Sequence, residues 1–148
     1  MTGHRVALTE VEFHTGVADV IDFACRLLRK AARQGVRVQV TAPAAAASTL
    51  DRSLWTFDER DFVPHVRMPG ATAAVAALSP IWLVDSLLAE PAAPSVLVNL
   101  GAPVQPLPAL LERVIEIVGA DADAADAGRE RWRQYKTLGL AIRHYRVA

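Results

Sequence analysis

Residues 17–40 read VADVIDFACRLLRKAARQGVRVQV, and their pattern predicts a helix followed by a strand. Its first part predicts a helix from Val17 to Gln34, because its apolar residues recur at intervals of three and four. Gly35 is suited to end that helix. Alternating valines over residues 36–40 then predict a strand.

A β-like run precedes this helix, from Val6 to His14, and Thr15-Gly16 is interpreted as its break. A strand, a helix and a strand therefore follow one another within forty residues. That order predicts parallel pairing of the two strands through a right-handed crossover.

The rest of the chain continues the alternation of strands and helices. The expected elements are a helix from Ala44 to Trp55, an irregular segment at 56–69, an Ala-rich strand or loop at 71–77, strands at 81–84 and 96–100, helices at 107–118 and 123–137, and a strand at 141–147. This order predicts one three-layer α/β domain over residues 1–148. We expect a mostly parallel central sheet flanked by helices, as in a Rossmann-like fold.

Composition narrows the class of protein. The chain has 148 residues, a formal net charge of zero and 52% hydrophobic residues, with no apolar run near the ~20 residues that span a bilayer. The N-terminal sequence lacks the sections of a signal peptide. We therefore expect a soluble, cytoplasmic protein without a membrane partner, and the zero net charge argues against a protein that coats nucleic acid.

The common catalytic devices are not found in the sequence. There is no P-loop, no G-x-G-x-x-G and no G-x-S-x-G, and the first turn, His14-Thr15-Gly16, is too poor in glycine for a pyrophosphate. We therefore predict no nucleotide site, no catalytic residues and no cofactor. Cys25 is the only cysteine, which excludes an internal disulfide, and it is interpreted as a small core residue.

Other titratable residues do not form a recognisable site. The four histidines are scattered without a second ligand at helical spacing, so no metal site is predicted. Glu112 and Glu116 stand four apart within the expected helix at 107–118. We interpret them as part of a solvated helix face.

Charge concentrates near the end of the chain. Residues 129–148 carry six Lys/Arg and one acid, a balance of +5, and residues 129–136 read RERWRQYK. On a helix, residues three and four apart share a face, so four of these side chains form a cationic patch with an aromatic wall. They are Arg129, Trp132, Arg133 and Lys136. Such a patch suits an acidic peptide with a bulky end or a nucleic-acid strand, although a solvated basic face covering the core remains an alternative.

Aromatic residues also cluster in the polar segment 54–65. If Trp55, Phe57 and Phe62 are exposed, they form an anchor for a protein partner. The alternative is structural: Trp55 closes the second helix onto the sheet, and Phe62 fills the space beneath the loop.

Two segments resemble the chi subunit family of bacterial DNA polymerase III. Residues 50–55, LDRSLW, followed by FVPH at 62–65, resemble the family's L-D-x-x-L-W…F-V-P-H signature. Residues 129–136 with Gly139 resemble its closing R-x-R-[aromatic]-[basic]-x-Y-[basic]…G. The spacing, the length and the order of elements fit along essentially the whole chain.

The resemblance implies a non-catalytic, accessory subunit of the clamp-loader assembly, with a nucleotide-binding type of fold but no working nucleotide site. Family members bind the acidic C-terminal tail of single-stranded DNA-binding protein and attach to the clamp loader through the psi subunit. They therefore meet single-stranded DNA only indirectly. The resemblance also implies a helicase as a possible second partner on the psi surface.

The resemblance assigns these roles to residues of this chain. The tail-binding residues would be Arg129, Trp132, Arg133 and Lys136, with Val118 as a wall of the pocket, and the psi-binding residues would be Trp55 and Phe62. Two alternatives stay open. Direct binding of single-stranded DNA would use Trp132 and Tyr135 to stack bases. A small enzyme would need a glycine-rich turn or a nucleophile–base pair, and the sequence contains neither.

Overall fold

A computed structural model describes residues 8–56 and 63–147 of the chain. Their order of elements is β1 (Glu10–Val17), α1 (Val20–Arg33), β2 (Val38–Thr41), α2 (Ala44–Thr56), β3 (His65–Met68), α3 (Ala73–Leu78), β4 (Ile81–Val84), β5 (Val96–Asn99), β6 (Arg113–Gly119), α4 (Ala122–Thr137) and β7 (Ala141–Arg146). No helix within this part of the chain is both long enough and apolar enough to cross a membrane.

The strands of residues 8–56 and 63–147 form one sheet of seven, in the order β3-β4-β2-β5-β6-β1-β7, and every neighbouring pair is parallel. The predicted α/β class is therefore confirmed. The predicted pairing of β1 with β2 is wrong, because β5 and β6 lie between them. Both strands belong to the same parallel sheet, but the crossover through α1 spans two intervening strands.

Helices cover both faces of the sheet and create two apolar cores. On one face, α1 and α2 pack together, and the buried Ala24, Cys25 and Leu28 of α1 contact the sheet. On the other face, Tyr135 of α4 is buried against Phe13. The fold therefore has three layers, and Cys25 is confirmed as a core residue, whose burial raises the pKa of its thiol to about 11.

The segment predicted as a helix over 107–118 is instead a strand. β6 occupies Arg113–Gly119 in the interior of the sheet, and its last six residues are all buried. The apolar residues of this segment fit helical spacing, but the β-branched run V-I-E-I-V suits a strand buried on both faces. Periodicity alone does not separate the two for a short apolar run.

The first strand and the first helix also have different bounds from those expected. β1 continues through Thr15 and Gly16, with a register shift between His14 and Val17. Gly16 has a φ of +72°, which a glycine adopts without strain, so the strand bends here rather than ending. α1 begins only at Val20, because the carboxylate of Asp19 accepts the Asp22 backbone N–H and caps the helix.

The Ala-rich segment 71–77, expected to be a strand or loop, instead forms most of the short helix α3 (Ala73–Leu78). The Thr72 hydroxyl accepts the backbone N–H of Val75 at 3.3 Å and caps it. Alanine has the highest helix propensity, so a cap is sufficient to define a helix here.

Candidate functional site: a cavity between α4 and the sheet

A cavity of about 340 Å³ lies between α4 and the carboxyl ends of β1, β6 and β7. The strands β1 and β6 are neighbours, but the helices that follow them, α1 and α4, pack on opposite faces of the sheet. Ligands of open α/β sheets bind in the crevice that such a divergence creates. The residues that line it are Phe13, Thr15, Gly16, Val118, Gly119, Ala120, Ala125, Gly128, Arg129, Trp132, His144, Arg146 and Val147.

One wall of the cavity depends on a close approach of α4 to β6. A Cβ atom placed on Gly128 would lie 2.7 Å from Cγ1 of Val118, so only glycine permits the observed spacing. Val118 itself is 4% exposed. This contact makes Val118 a rigid, apolar part of the cavity wall.

The aromatic wall is Trp132, which is half-buried in α4. Its ring lies 5.1 Å from that of Phe13 and meets the ring of His144 edge-on, also at 5.1 Å. His144 is in turn fixed by a 2.6 Å hydrogen bond between its Nε2 and the Thr15 hydroxyl. The indole therefore has a defined orientation before any ligand arrives.

Arg129 is the cation on the helix side of the cavity. Its side chain is 63% exposed and forms an ion pair with Asp126, one turn earlier in α4. Arg146 lines the same cavity from β7. The site therefore combines an apolar slot with two guanidinium groups.

The structure brings together only some of the residues that the sequence selected. Arg129, Trp132 and Val118 line the cavity, as the resemblance implies for a tail pocket. Arg133 and Lys136 are exposed and do not line it, and Arg133 pairs with Glu130 at 2.9 Å. They belong to the solvated side of α4 beyond the cavity.

A buried polar cluster beneath α4 was not predicted from the sequence. Glu116, interpreted as a solvated helix residue, is completely buried in β6. It accepts hydrogen bonds from Nε of Arg131 at 2.8 Å, from the Tyr135 hydroxyl at 2.6 Å and from Nδ2 of Asn99 at 2.9 Å. These four residues are called the Glu116 cluster below.

Electrostatics make this cluster sensitive to substitution. Burial raises the pKa of the Glu116 carboxyl, and the positive charge of Arg131 with the hydrogen bonds from Tyr135 and Asn99 opposes that effect. Arg131 is 5% exposed and so contributes nothing to the surface charge that the sequence suggested. The alternating charges of residues 129–133 do not by themselves show that Arg131 is buried. That inference also requires the knowledge that β6 is a strand.

A second exposed feature lies at the end of α2. Trp55 is 59% exposed, so the interpretation in which it closes the helix onto the sheet is wrong. Leu54 fills that role with 1% exposure. Phe57 and Phe62 lie outside the described residues.

The motif around Trp55 contains a fixed hydrogen-bonded pair. Nε2 of the buried His65 lies 2.8 Å from Oδ1 of Asp51, and its Nδ1 lies 2.8 Å from the Val63 carbonyl. The His65 ring is also 5.0 Å from that of Trp55. The pair therefore ties β3 to α2 beneath the exposed indole.

The described residues contain no group of three or more His, Cys, Asp or Glu side chains arranged to hold a metal ion. The cavity presents arginines, an imidazole and apolar groups. It therefore suits an anion with an apolar part.

Comparison with known proteins identifies the family. The family model "DNA polymerase III chi subunit, HolC" matches residues 8–143. The chain belongs to the DNA polymerase III chi subunit family. A curated chi subunit of DNA polymerase III from Pseudomonas aeruginosa is 31% identical over 130 residues, which cover 86% of each chain. The matched family consists of DNA polymerase III subunits, which places the chain in DNA replication.

The chi-family match covers most of the cavity but not all of it. It includes β1, β6 and α4, and ends at position 143 within β7. His144 and Arg146 lie beyond this limit, although both line the cavity.

Proposed function

We propose that this chi-family chain is a non-catalytic adaptor that binds the acidic C-terminal tail of single-stranded DNA-binding protein in the cavity beside α4. The observation that most supports this function is that Arg129 and the apolar wall of Trp132 and Val118 line the same preformed cavity. A peptide end that carries both a carboxylate and an aromatic side chain matches that combination.

The parts of the cavity suit the parts of such a tail. The guanidinium of Arg129 can hold the terminal carboxylate through a bidentate pair of hydrogen bonds. Trp132 and Val118 can enclose the terminal aromatic ring, since both are held in place by their neighbours. To bind the ligand, Arg129 gives up its ion pair with Asp126. This loss costs little free energy, because the pair is exposed to solvent.

Arg133 and Lys136 act at longer range. Both lie on α4 outside the cavity and are exposed. Their charge attracts the aspartates of the tail, which raises the association rate and makes binding sensitive to salt. A contact of this small size has an affinity on the order of micromolar, and several tails on one partner oligomer raise the avidity.

The test is a titration of the chain with an acidic peptide ending in Ile-Pro-Phe, followed by anisotropy of a label at its N-terminus. We expect saturable binding that weakens as salt is raised. A single-stranded oligonucleotide serves as the second ligand. If the oligonucleotide binds and the peptide does not, the direct DNA-binding alternative replaces the proposal.

The geometry disfavours that alternative in one respect. Base stacking on α4 was expected to use Trp132 and Tyr135 together, but Tyr135 is 1% exposed and donates its hydroxyl to Glu116. A base cannot reach its ring without disrupting the Glu116 cluster.

We also propose that Trp55 anchors the psi subunit, which connects the chain to the clamp loader. A helicase would use the same surface. Trp55 is large, 59% exposed and positioned at the end of α2. Large aromatic residues are enriched among the side chains that dominate interface free energies. Phe62 is proposed as its companion from the sequence resemblance alone.

Trp55→Ala is expected to weaken psi binding by about thirtyfold, which corresponds to an anchor contribution of about 2 kcal/mol. Tail binding should be unchanged, because Trp55 does not line the cavity. Isothermal titration calorimetry with psi and, separately, with the tail peptide measures both. Equal losses of both activities would contradict two separate surfaces.

A further inference from the structure

The cavity beside α4 has a second cationic side chain, which has no role in the proposed binding of the acidic tail described above. Arg146 is the last residue of β7; it is exposed and lines the cavity. Among the described residues, the only other arginine that lines the cavity is Arg129, on the α4 side. No aspartate or glutamate lines the cavity within the described part of the chain, so neither arginine is neutralised by a lining carboxylate.

The two arginines differ in their partners. Arg129 forms an ion pair with Asp126 on its own helix. Among the described residues, the side chain of Arg146 has no hydrogen-bond or ion-pair partner, whereas Nε of Arg143 on the same strand lies 3.4 Å from Oε1 of Glu10. Arg146 therefore has its guanidinium available for an incoming anion.

β7 also fixes the direction in which Arg146 projects. Residues two apart in a strand share a face, so Arg146 lies on the same face as His144, which contacts Trp132. Arg143 lies on the other face. The strand thus carries one arginine toward the cavity and one away from it.

We propose that Arg146 is the second anion-binding residue of the tail cavity, where it pairs with an aspartate upstream of the terminal residue while Arg129 holds the terminal carboxylate. This inference rests on the proposed binding of the acidic tail. Arg129 stands one turn from Trp132, the proposed wall for the terminal ring, whereas Arg146 lines the cavity from β7 and can meet a carboxylate before the terminal residue. The cavity then recognises two carboxylates at a set separation, in addition to one aromatic ring.

The experiment compares Arg146→Ala with Arg143→Ala in binding to the same tail peptide at low salt. Both variants remove one positive charge from β7, so an effect of net charge alone would be equal in the two. We expect Arg146→Ala to weaken binding about three- to fivefold, as for a single exposed charge pair, and Arg143→Ala to change it by less than about twofold.

A second peptide, with its aspartates replaced by asparagines, identifies the contact. For this peptide the loss caused by Arg146→Ala should disappear, because the carboxylate that it pairs with is absent. Amidation of the terminal carboxylate should still weaken binding to Arg146→Ala, since Arg129 is unchanged.

The outcomes separate this inference from the function on which it rests. If the unaltered chain does not bind the acidic peptide, the proposed function itself fails. If it binds and the two arginine variants have equal affinities, tail binding stands and the role of Arg146 is overturned. A loss in Arg146→Ala that persists with the asparagine peptide also overturns it.

Discussion

Arg131→Met is expected to lower the free energy of unfolding by about 3–5 kcal/mol at neutral pH, the cost of breaking a buried ion pair. Arg131 is 5% exposed and Glu116 is fully buried, so removal of the guanidinium leaves a carboxylate without its counter-ion. Urea denaturation followed by circular dichroism measures the change. The same substitution at Arg129, exposed on the same helix, is the matched control, with an expected change below about 0.5 kcal/mol.

The pH dependence tests the cause of that loss. Burial raises the pKa of Glu116, and the loss of Arg131 removes the main influence that opposes it. A group whose pKa is raised on folding gives stability that is full below its unfolded pKa and declines as pH rises through the folded pKa. The deficit of Arg131→Met should therefore shrink toward about pH 4, near the usual pKa of glutamate. A deficit that is constant between pH 4 and 7 would point to lost packing rather than to charge.

Arg129→Ala has the largest expected effect on binding. It removes the group proposed to hold the terminal carboxylate, so the Kd for the tail peptide should rise about a hundredfold, the upper range for a hydrogen-bonded charge. A Kd on the order of micromolar would then rise to about 100 μM, a loss of about 2.7 kcal/mol. Stability should be almost unchanged, because the side chain is 63% exposed.

Two further variants serve as comparisons for Arg129→Ala. Arg129→Lys keeps the positive charge but loses the planar fork, so it should recover only part of the affinity. Lys136→Ala removes a charge from the same helix outside the cavity and should have a small, salt-dependent effect. If Arg129→Ala and Lys136→Ala weaken binding equally, the cavity is not where the carboxylate binds.

The predictable parts of the fold are those with strong local signals. α1 has apolar residues at helical spacing and an Asp19 cap, and it forms nearly as expected. The segment that forms β6 was predicted to be a helix, because its short apolar run fits both helical and strand spacing. Only pairing with the neighbouring strands decides between the two structures. The alanines of α3 gave no periodic signal, although Thr72 provides a cap that the sequence contains.

The closing motif RERWRQYK carries two different kinds of residue. Arg129 and Trp132 face the cavity, whereas Arg131 and Tyr135 hold Glu116 in the core. A linear motif does not separate these roles, because the partner of Arg131 lies fifteen residues earlier in a strand. The signature formed by residues 50–55 and 62–65 likewise combines two roles. Asp51 and His65 form a structural hydrogen-bonded pair, and Trp55 remains exposed above it.

We propose that the cavity beside α4 recognises the free end of an acidic peptide. The most direct measurement compares the unaltered chain's affinity for the peptide ending in Ile-Pro-Phe with its affinity for the same peptide amidated at its C-terminus. We expect saturable binding of the free acid, with a Kd on the order of micromolar, and a loss of affinity of about tenfold or more on amidation. Equal affinities for the two peptides would contradict it, because Arg129 would then not be holding the terminal carboxylate.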